Sequence, residues 1–163
     1  MQGMMPQVLI VLGSKSDLPV AKKAVDLLKE FGVSSQIVVA SAHRTPERVR
    51  TIVSGSDAEV FIAIAGLSAA LPGAIAASTV RPVIGVPVSG KVNLDSILSM
   101  VQMPGGIPVA TVGLDRGDNA ALLALQILGL KDPRIAQRLA KHREDMADSI
   151  ARESEEVTKD VQT

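Results

Sequence analysis

The sequence predicts an α/β fold, a three-layer doubly wound parallel sheet of flavodoxin-like order. Three observations carry this expectation. Short β-branched runs alternate with stretches of helical periodicity, the pattern of successive βαβ units. Most of those runs are apolar at consecutive positions, as in strands covered by helices on both faces. Two of them end in small polar loops that lead into a helix start, Gly13-Ser14-Lys15-Ser16-Asp17 and Ser41-Ala42-His43-Arg44-Thr45-Pro46. Such strand tips are where open α/β sheets form a ligand crevice.

The first strand is expected at 8–12, Val-Leu-Ile-Val-Leu. Asp17 then caps a helix running to Phe31, with Leu18, Ala21, Val25 and Leu28 on one face and Gly32 as the left-handed stop. A second strand at 36–40 leads to Thr45, Pro46 and Glu47: a capping hydroxyl, a proline at the first helical position and a carboxylate in the first turn. Further strands are expected at 60–65, 83–88 and 109–112. Between them, Ala65-Gly66-Leu67-Ser68-Ala69-Ala70-Leu71-Pro72-Gly73 reads as small-residue turns able to wall a site from water, and Gln102-Met103-Pro104-Gly105-Gly106 as a tight turn. A helix at 119–128 stops before Gly129. The last segment runs from Asp132-Pro133 to about Lys159, with Ile135, Leu139, His142, Met146, Ile150 and Val157 along one narrow stripe. Such a seam suits another helix better than a sheet. A long helix unable to bury it on its own domain packs on a neighbouring subunit, so a homo-oligomer is expected; a helix folded back on its own domain is the plainer alternative.

At 163 residues the chain suits one domain, 1–163, and is short for two. Its 17 Lys and Arg balance 17 Asp and Glu, which removes the basic footprint of a nucleic-acid binder. Phe31 and Phe61 are its only aromatic residues, so it has no stacking platform for exposed bases. It has no cysteine, hence no disulfide, thiolate nucleophile or cysteine-based metal site, and a cytoplasmic setting is the default. Met1-Gln2-Gly3-Met4-Met5-Pro6 lacks the regions of a signal peptide, and no apolar stretch reaches the roughly 18 residues of a membrane span.

In the first loop, Gly13 allows close backbone approach, Ser14 and Ser16 offer hydroxyl donors, and Asp17 would repel phosphate but accept bonds from ribose hydroxyls. As a bare pattern this is weak, because serine and aspartate before a helix cap ordinary turns equally well. The second loop says more. An arginine at a helix start is opposed by the helix dipole, so Arg44 asks for a compensating anion such as a ligand phosphate. An imidazole titrates near neutral pH and can give and take a proton within one cycle, which makes His43 the candidate proton carrier. The bland reading is that both satisfy loop carbonyls and a surface carboxylate. His142, between Lys141 and Arg143 on the terminal stripe, reads as a packing or interface residue, and two histidines so far apart do not make a transition-metal site. Gly85-Val86-Pro87-Val88-Ser89-Gly90-Lys91-Val92 nearly matches a nucleoside-triphosphate loop, but Val92 stands where a magnesium-binding hydroxyl is required and Pro87 removes a donor.

Taken in order, Gly-Ser-Lys-Ser-Asp at 13–17, Ser-Ala-His-Arg-Thr-Pro at 41–46, Leu-Pro-Gly at 71–73, Gly-Val-Pro-Val at 85–88, Val-Gln-Met-Pro at 101–104 and Asn-Ala-Ala-Leu-Leu-Ala at 119–124 span almost the whole chain. Together they resemble the class I PurE family, the small N5-carboxyaminoimidazole ribonucleotide mutases of purine biosynthesis. The resemblance implies a flavodoxin-like subunit, an octamer with sites where subunits meet, and a ribonucleotide whose carboxyl group moves from the exocyclic nitrogen to ring carbon C4. It implies Ser14, Asp17 and Arg44 on the ribose phosphate, with Gly13, Ser16 and Ser41 close by. A mechanism consistent with these residues takes His43 as proton shuttle and a small apolar niche at Ala65, Gly66, Ala70 and Leu71 that holds CO2 as a transient intermediate. No cofactor and no metal is implied, because the carboxyl group arrives on the substrate. One position departs from the family pattern: Ala70 stands where a histidine normally precedes Leu-Pro-Gly. A class II carboxylase using CO2 directly, and a ribonucleotide-binding variant of impaired activity, are the competing expectations.

Overall fold

The computed structural model describes residues 6–161. Met1–Met5, on which part of the signal-peptide expectation rests, lies outside the described residues. The strands are β1 (Val8–Leu12), β2 (Ser35–Val39), β3 (Val60–Ala65), β4 (Val83–Pro87) and β5 (Ala110–Thr111). They form one parallel sheet in the order β2-β1-β3-β4-β5, the flavodoxin-like arrangement the sequence predicts. The helices are α1 (Leu18–Glu30), α2 (Pro46–Ser54), α3 (Leu71–Ala76), α4 (Asn93–Val101), α5 (Gly117–Gly129) and α6 (Pro133–Val161).

Alternating side chains of the central strands feed two cores. Val8, Ile10, Leu12, Ile62 and Ile64 meet Ala21, Ala24 and Leu28 of α1 and Ala120, Ala124 and Leu125 of α5. Leu9, Val11, Phe61 and Ala63 meet Val49 and Val53 of α2, Leu71 and Ile75 of α3 and Met100 of α4. Each fully buried Leu, Ile or Phe contributes about 1.5–3 kcal/mol, so strands enclosed on both faces are apolar without alternation. Gly85 in β4 leaves room for this packing: a Cβ there would stand 3.0 Å from Met100 Sδ and 3.1 Å from Val109 Cγ1.

The sheet edges depart from the expectation. β2 is displaced by one residue from 36–40 and carries helices over it incompletely, with Ile37 and Val39 38% and 46% exposed. β4 stops one residue short of Val88, and β5 shrinks to two residues. α1 is entered through a 3₁₀ turn, Lys15–Asp17, capped by Ser14. Asp17 makes no side-chain capping bond to α1, because its carboxylate turns back to Ser14. Of the predicted face the helix buries Ala21 and Leu28, joined by Val20 and Ala24; Leu18 is exposed and Val25 only partly buried. Gly32 has the left-handed φ of +70° expected of it. Pro46 does start α2 and Glu47 lies in its first turn, but the Thr45 hydroxyl makes no cap. It bonds Ser41 at both ends instead, accepting from the N–H and donating to the carbonyl. α5 extends beyond 119–128 at both ends, and α3 and α4 occupy stretches read above as turns or left without an element.

α6 is about 43 Å long at 1.5 Å per residue. Its root is fastened: Ile135 is buried against α5, and Arg138 donates to the Glu30 carbonyl at 2.6 Å while its guanidinium lies 5.3 Å over the Phe31 ring. His142 meets the same ring edge-on at 5.7 Å, the packing role expected of it. Beyond it, Met146, Ile150 and Val157 are more than half exposed, so the far half of the stripe does not fold back on its own domain.

Candidate functional site

The C-terminal ends of β1, β2, β3 and β4 surround a cleft of about 620 Å³. Every site residue predicted from sequence lines it: Gly13, Ser14, Ser16 and Asp17 after β1; Ser41, His43 and Arg44 after β2; Ala65, Gly66, Ala70 and Leu71 after β3. A parallel sheet requires this convergence, since each strand delivers its following loop to the same end. A larger concavity of about 760 Å³ lies at the opposite end, before β3 and β4. Its guanidinium, Arg81, is already tied to the Ser56 and Ala58 carbonyls at 2.6 and 2.8 Å, and none of the predicted residues reaches it. Convergent chemistry, not volume, marks the candidate site.

The first loop is built by a reciprocal cap. The Ser14 N–H donates to Asp17 Oδ2 at 2.9 Å, the Ser16 N–H to Ser14 Oγ at 3.4 Å, and the Ser16 hydroxyl to Asp17 Oδ1 at 3.3 Å. Asp17 is consequently buried, 6% exposed. Burial pushes its carboxyl above the usual carboxylate range, opposed by the Ser14 and Ser16 bonds and by the attraction of Arg44. Gly13 tolerates a Cβ in ordinary contact, 3.6 Å from Asp17 Oδ2, so packing within the chain does not demand glycine there.

Arg44 joins the first two loops. Its Nη2 donates to the Gly13 carbonyl at 2.9 Å and its Nε to Ser41 Oγ at 3.3 Å, and the same hydroxyl accepts from the Arg44 N–H at 3.2 Å. A loop carbonyl thus takes part of the fork, as the bland reading had it, while the side chain stays exposed along the cleft. His43 is exposed too. The dry niche expected around the imidazole is not closed within a single chain.

The third wall is tight. Leu67 and Ala69 take left-handed φ values of +54° and +31°, uncommon for residues with a Cβ. A Cβ on Gly66 would meet Val88 Cβ and the Val88 carbonyl oxygen in ordinary contact at 3.4 Å, so the segments following β3 and β4 are neighbours there. Ala70 lines the cleft without a polar side chain. The sequence did not point to the fourth wall, Val88, Ser89 and Gly90, as part of the site: Val88 reads as a strand end and family motif, and Ser89-Gly90 as a failed triphosphate loop. The strand-tip rule that singled out the loops after β1 and β2 applies equally after β4. Among the described residues, no group of three His, Asp or Glu side chains is placed to hold a metal ion.

Comparison with known proteins places this geometry. The family model described as AIR carboxylase matches residues 7–149. The N5-carboxyaminoimidazole ribonucleotide mutase of Methanocaldococcus jannaschii is 60% identical over 149 residues, covering 91% of this chain and 95% of that protein. The protein of that name from Pyrococcus abyssi is 55% identical over 147 residues, covering 87% and 84%. The crystal structure of Treponema denticola PurE superposes with a TM-score of 0.85 at 34% identity, covering 93% of this chain and 98% of that one. With its strand order, its loops and these matches in agreement, the chain belongs to the AIR carboxylase family.

Proposed function

We propose that this chain is an N5-carboxyaminoimidazole ribonucleotide mutase, an isomerase of purine biosynthesis. The observation that carries the reading is the single cleft lined by the Ser14–Asp17 turn, the His43-Arg44 pair and the small-residue wall at 65–71. Relatives up to 60% identical bear that name, which favours the mutase over a carboxylase that takes CO2 directly. The unbonded part of the Arg44 fork, with Ser14, Ser16 and Ser41, suits the phosphate, and the Asp17 carboxylate suits ribose hydroxyls. Gly13 then has its reason in the ligand rather than in the fold.

The substrate's N-carboxylate is a carbamate. Protonation of its nitrogen by the His43 imidazolium releases CO2 and leaves a ring that is enamine-like and nucleophilic at C4. C4 attacks the CO2 held beside Ala65, Gly66, Ala70 and Leu71, and His43 removes the C4 proton, restoring the imidazolium. One proton enters at nitrogen and one leaves from carbon, so no external acid, cofactor or metal is consumed. Binding energy from the phosphate end holds the ring over the niche. The exposed His43 and the uncovered far half of α6 together support a homo-oligomer, an octamer by family resemblance, in which a neighbouring subunit covers the open cleft. We read 1–163 as one domain of a cytoplasmic enzyme; among the described residues no helix is long and apolar enough to cross a membrane.

The test is conversion of N5-carboxyaminoimidazole ribonucleotide to the C4-carboxylated isomer without bicarbonate, alongside aminoimidazole ribonucleotide with bicarbonate. Turnover of the first alone, lost in His43→Asn while ribonucleotide affinity stays within about threefold, supports the reading; proton transfer of this kind is worth about 10²–10⁴-fold. Turnover only of the second would assign the direct carboxylase. Binding without any turnover would leave a ribonucleotide-binding protein.

A further inference from the structure

The fourth wall of the cleft is held from outside. Past Val88, whose N–H donates to the Ala65 carbonyl at 3.0 Å, the segment 88–90 leaves the sheet and its backbone groups are taken by side chains. The Ser89 N–H donates to Asp115 Oδ1 at 2.9 Å, and the Gly90 N–H to Asn93 Oδ1 at 2.9 Å. The buried Ser96 hydroxyl faces the Val88 carbonyl at 3.3 Å and shares its one proton with the nearer Asn93 carbonyl at 3.1 Å. Of these anchors Asp115 is the farthest in sequence and the most constrained. It sits between β5 and α5 with a left-handed φ of +58°. Its N–H donates to the Pro87 carbonyl at 2.9 Å, and its own carbonyl accepts from Lys23 Nζ of α1 at 3.2 Å. Aspartate is among the few non-glycine residues that adopt this region, and these two bonds fix it there.

The consequence reaches the niche through one contact. Val88 is the direct neighbour of the niche, its N–H bonded to the Ala65 carbonyl and a Cβ on Gly66 meeting it in ordinary contact at 3.4 Å, so outward movement of 88–90 opens the wall beside Ala65 and Gly66. We propose that Asp115 is a positioning residue that seats Ser89 and Val88 against Gly66, and so keeps CO2 in the cleft until C4 captures it. This inference rests on the mutase reading. It concerns escape of the intermediate rather than proton transfer, so its signature is a partition: the share of substrate that ends as decarboxylated ribonucleotide plus free CO2.

The experiment follows substrate labelled in the carboxyl carbon, without bicarbonate and with spontaneous loss subtracted, and compares label retained in product with label released as CO2. Asp115→Gly relieves the left-handed backbone while removing the acceptor; Asp115→Asn keeps an acceptor oxygen at the same place. Asp115→Gly is expected to raise the released share about tenfold, the scale of one hydrogen bond to a charged group, and Asp115→Asn to leave it unchanged. Should Asp115→Gly melt below the assay temperature, Asn93→Ala, which frees Gly90, carries the same expectation. An unchanged partition in the folded variant overturns the proposal, as does Asp115→Asn leaking as much as Asp115→Gly. Failure of the unmodified chain to convert substrate refutes the functional reading and this inference with it, whereas normal conversion with unchanged partition refutes this inference alone.

Discussion

Gly117→Ala tests how far the site depends on the helix packing beneath it. Gly117 opens α5 and is buried against α1, where an added Cβ would stand 2.1 Å from the Val20 carbonyl oxygen. Ordinary contact begins near 3.4 Å, so the helices must separate by about 1.3 Å, and the obstacle is backbone that no rotamer change can relieve. Overpacking of this kind costs about 1–3 kcal/mol, and we expect the upper end. For a domain of this size about 3 kcal/mol lowers the Tm by roughly 6–12 °C. Because α1 follows directly from Asp17, the same displacement shifts the first loop of the cleft, so turnover should fall even at temperatures where the variant is folded. The assay is thermal unfolding by circular dichroism beside mutase turnover at 25 °C, with Gly105→Ala as control, since a Cβ at Gly105 meets nothing within 4 Å. A Gly117→Ala protein as stable and active as the Gly105→Ala control would refute the reasoning.

Arg44→Met removes the bridge between Gly13 and Ser41, and should raise KM at least about tenfold, the worth of one charge-assisted bond, with a smaller effect on kcat; steady-state kinetics over a substrate series checks it. Asp17 carries a raised carboxyl pKa in the folded chain, so the stability it lends is present below the unfolded value near 3.8 and is lost as pH rises through the folded value. Asp17→Asn should therefore melt at or above the parent temperature at pH 7, converge with it in acid, and yet bind ribonucleotide more weakly, as Tm measured against pH and calorimetric titration would show. Met146→Glu combined with Ile150→Glu places charge on the exposed stretch of α6 and should lower the mass of the proposed homo-oligomer in light scattering; an unchanged mass would deny this stretch a subunit contact.

The strands were legible because both faces of β1, β3 and β4 are enclosed, which forces continuous apolar runs. At the edges that pressure lapses, and there the predicted bounds slipped. α3 was hidden by Pro72 and Gly73, residues that ordinarily mark turns. α4 was hidden because Leu94, Leu98 and Val101 stay exposed, so its apolar pattern does not describe this chain's own core. The second loop could be read because an arginine at a helix start asks for an anion, whereas the serines and aspartate of the first loop are also ordinary caps, as Ser14 is here. The roles of individual caps could not: whether Asp17 reaches forward to α1 or back to Ser14, and whether Thr45 caps α2 or clasps Ser41, depends on rotamers that the sequence does not encode locally. Asp115 belongs to the same class, since its partner Ser89 lies far away in sequence and they meet only once β4 and β5 are paired.

The two margins of the sheet are unequal, and this bears on how the chain fares at high concentration. β5 offers a foreign strand two residues to pair with, too few for a lasting ladder. β2 offers five, Ser-Gln-Ile-Val-Val, with no charged gatekeeper among them and two half-bare aliphatic side chains. Amyloid-like stacking of subunits at high concentration or on mild heating should therefore begin at β2, and a lysine at Gln36 would be the economical way to make the protein more tolerant of both.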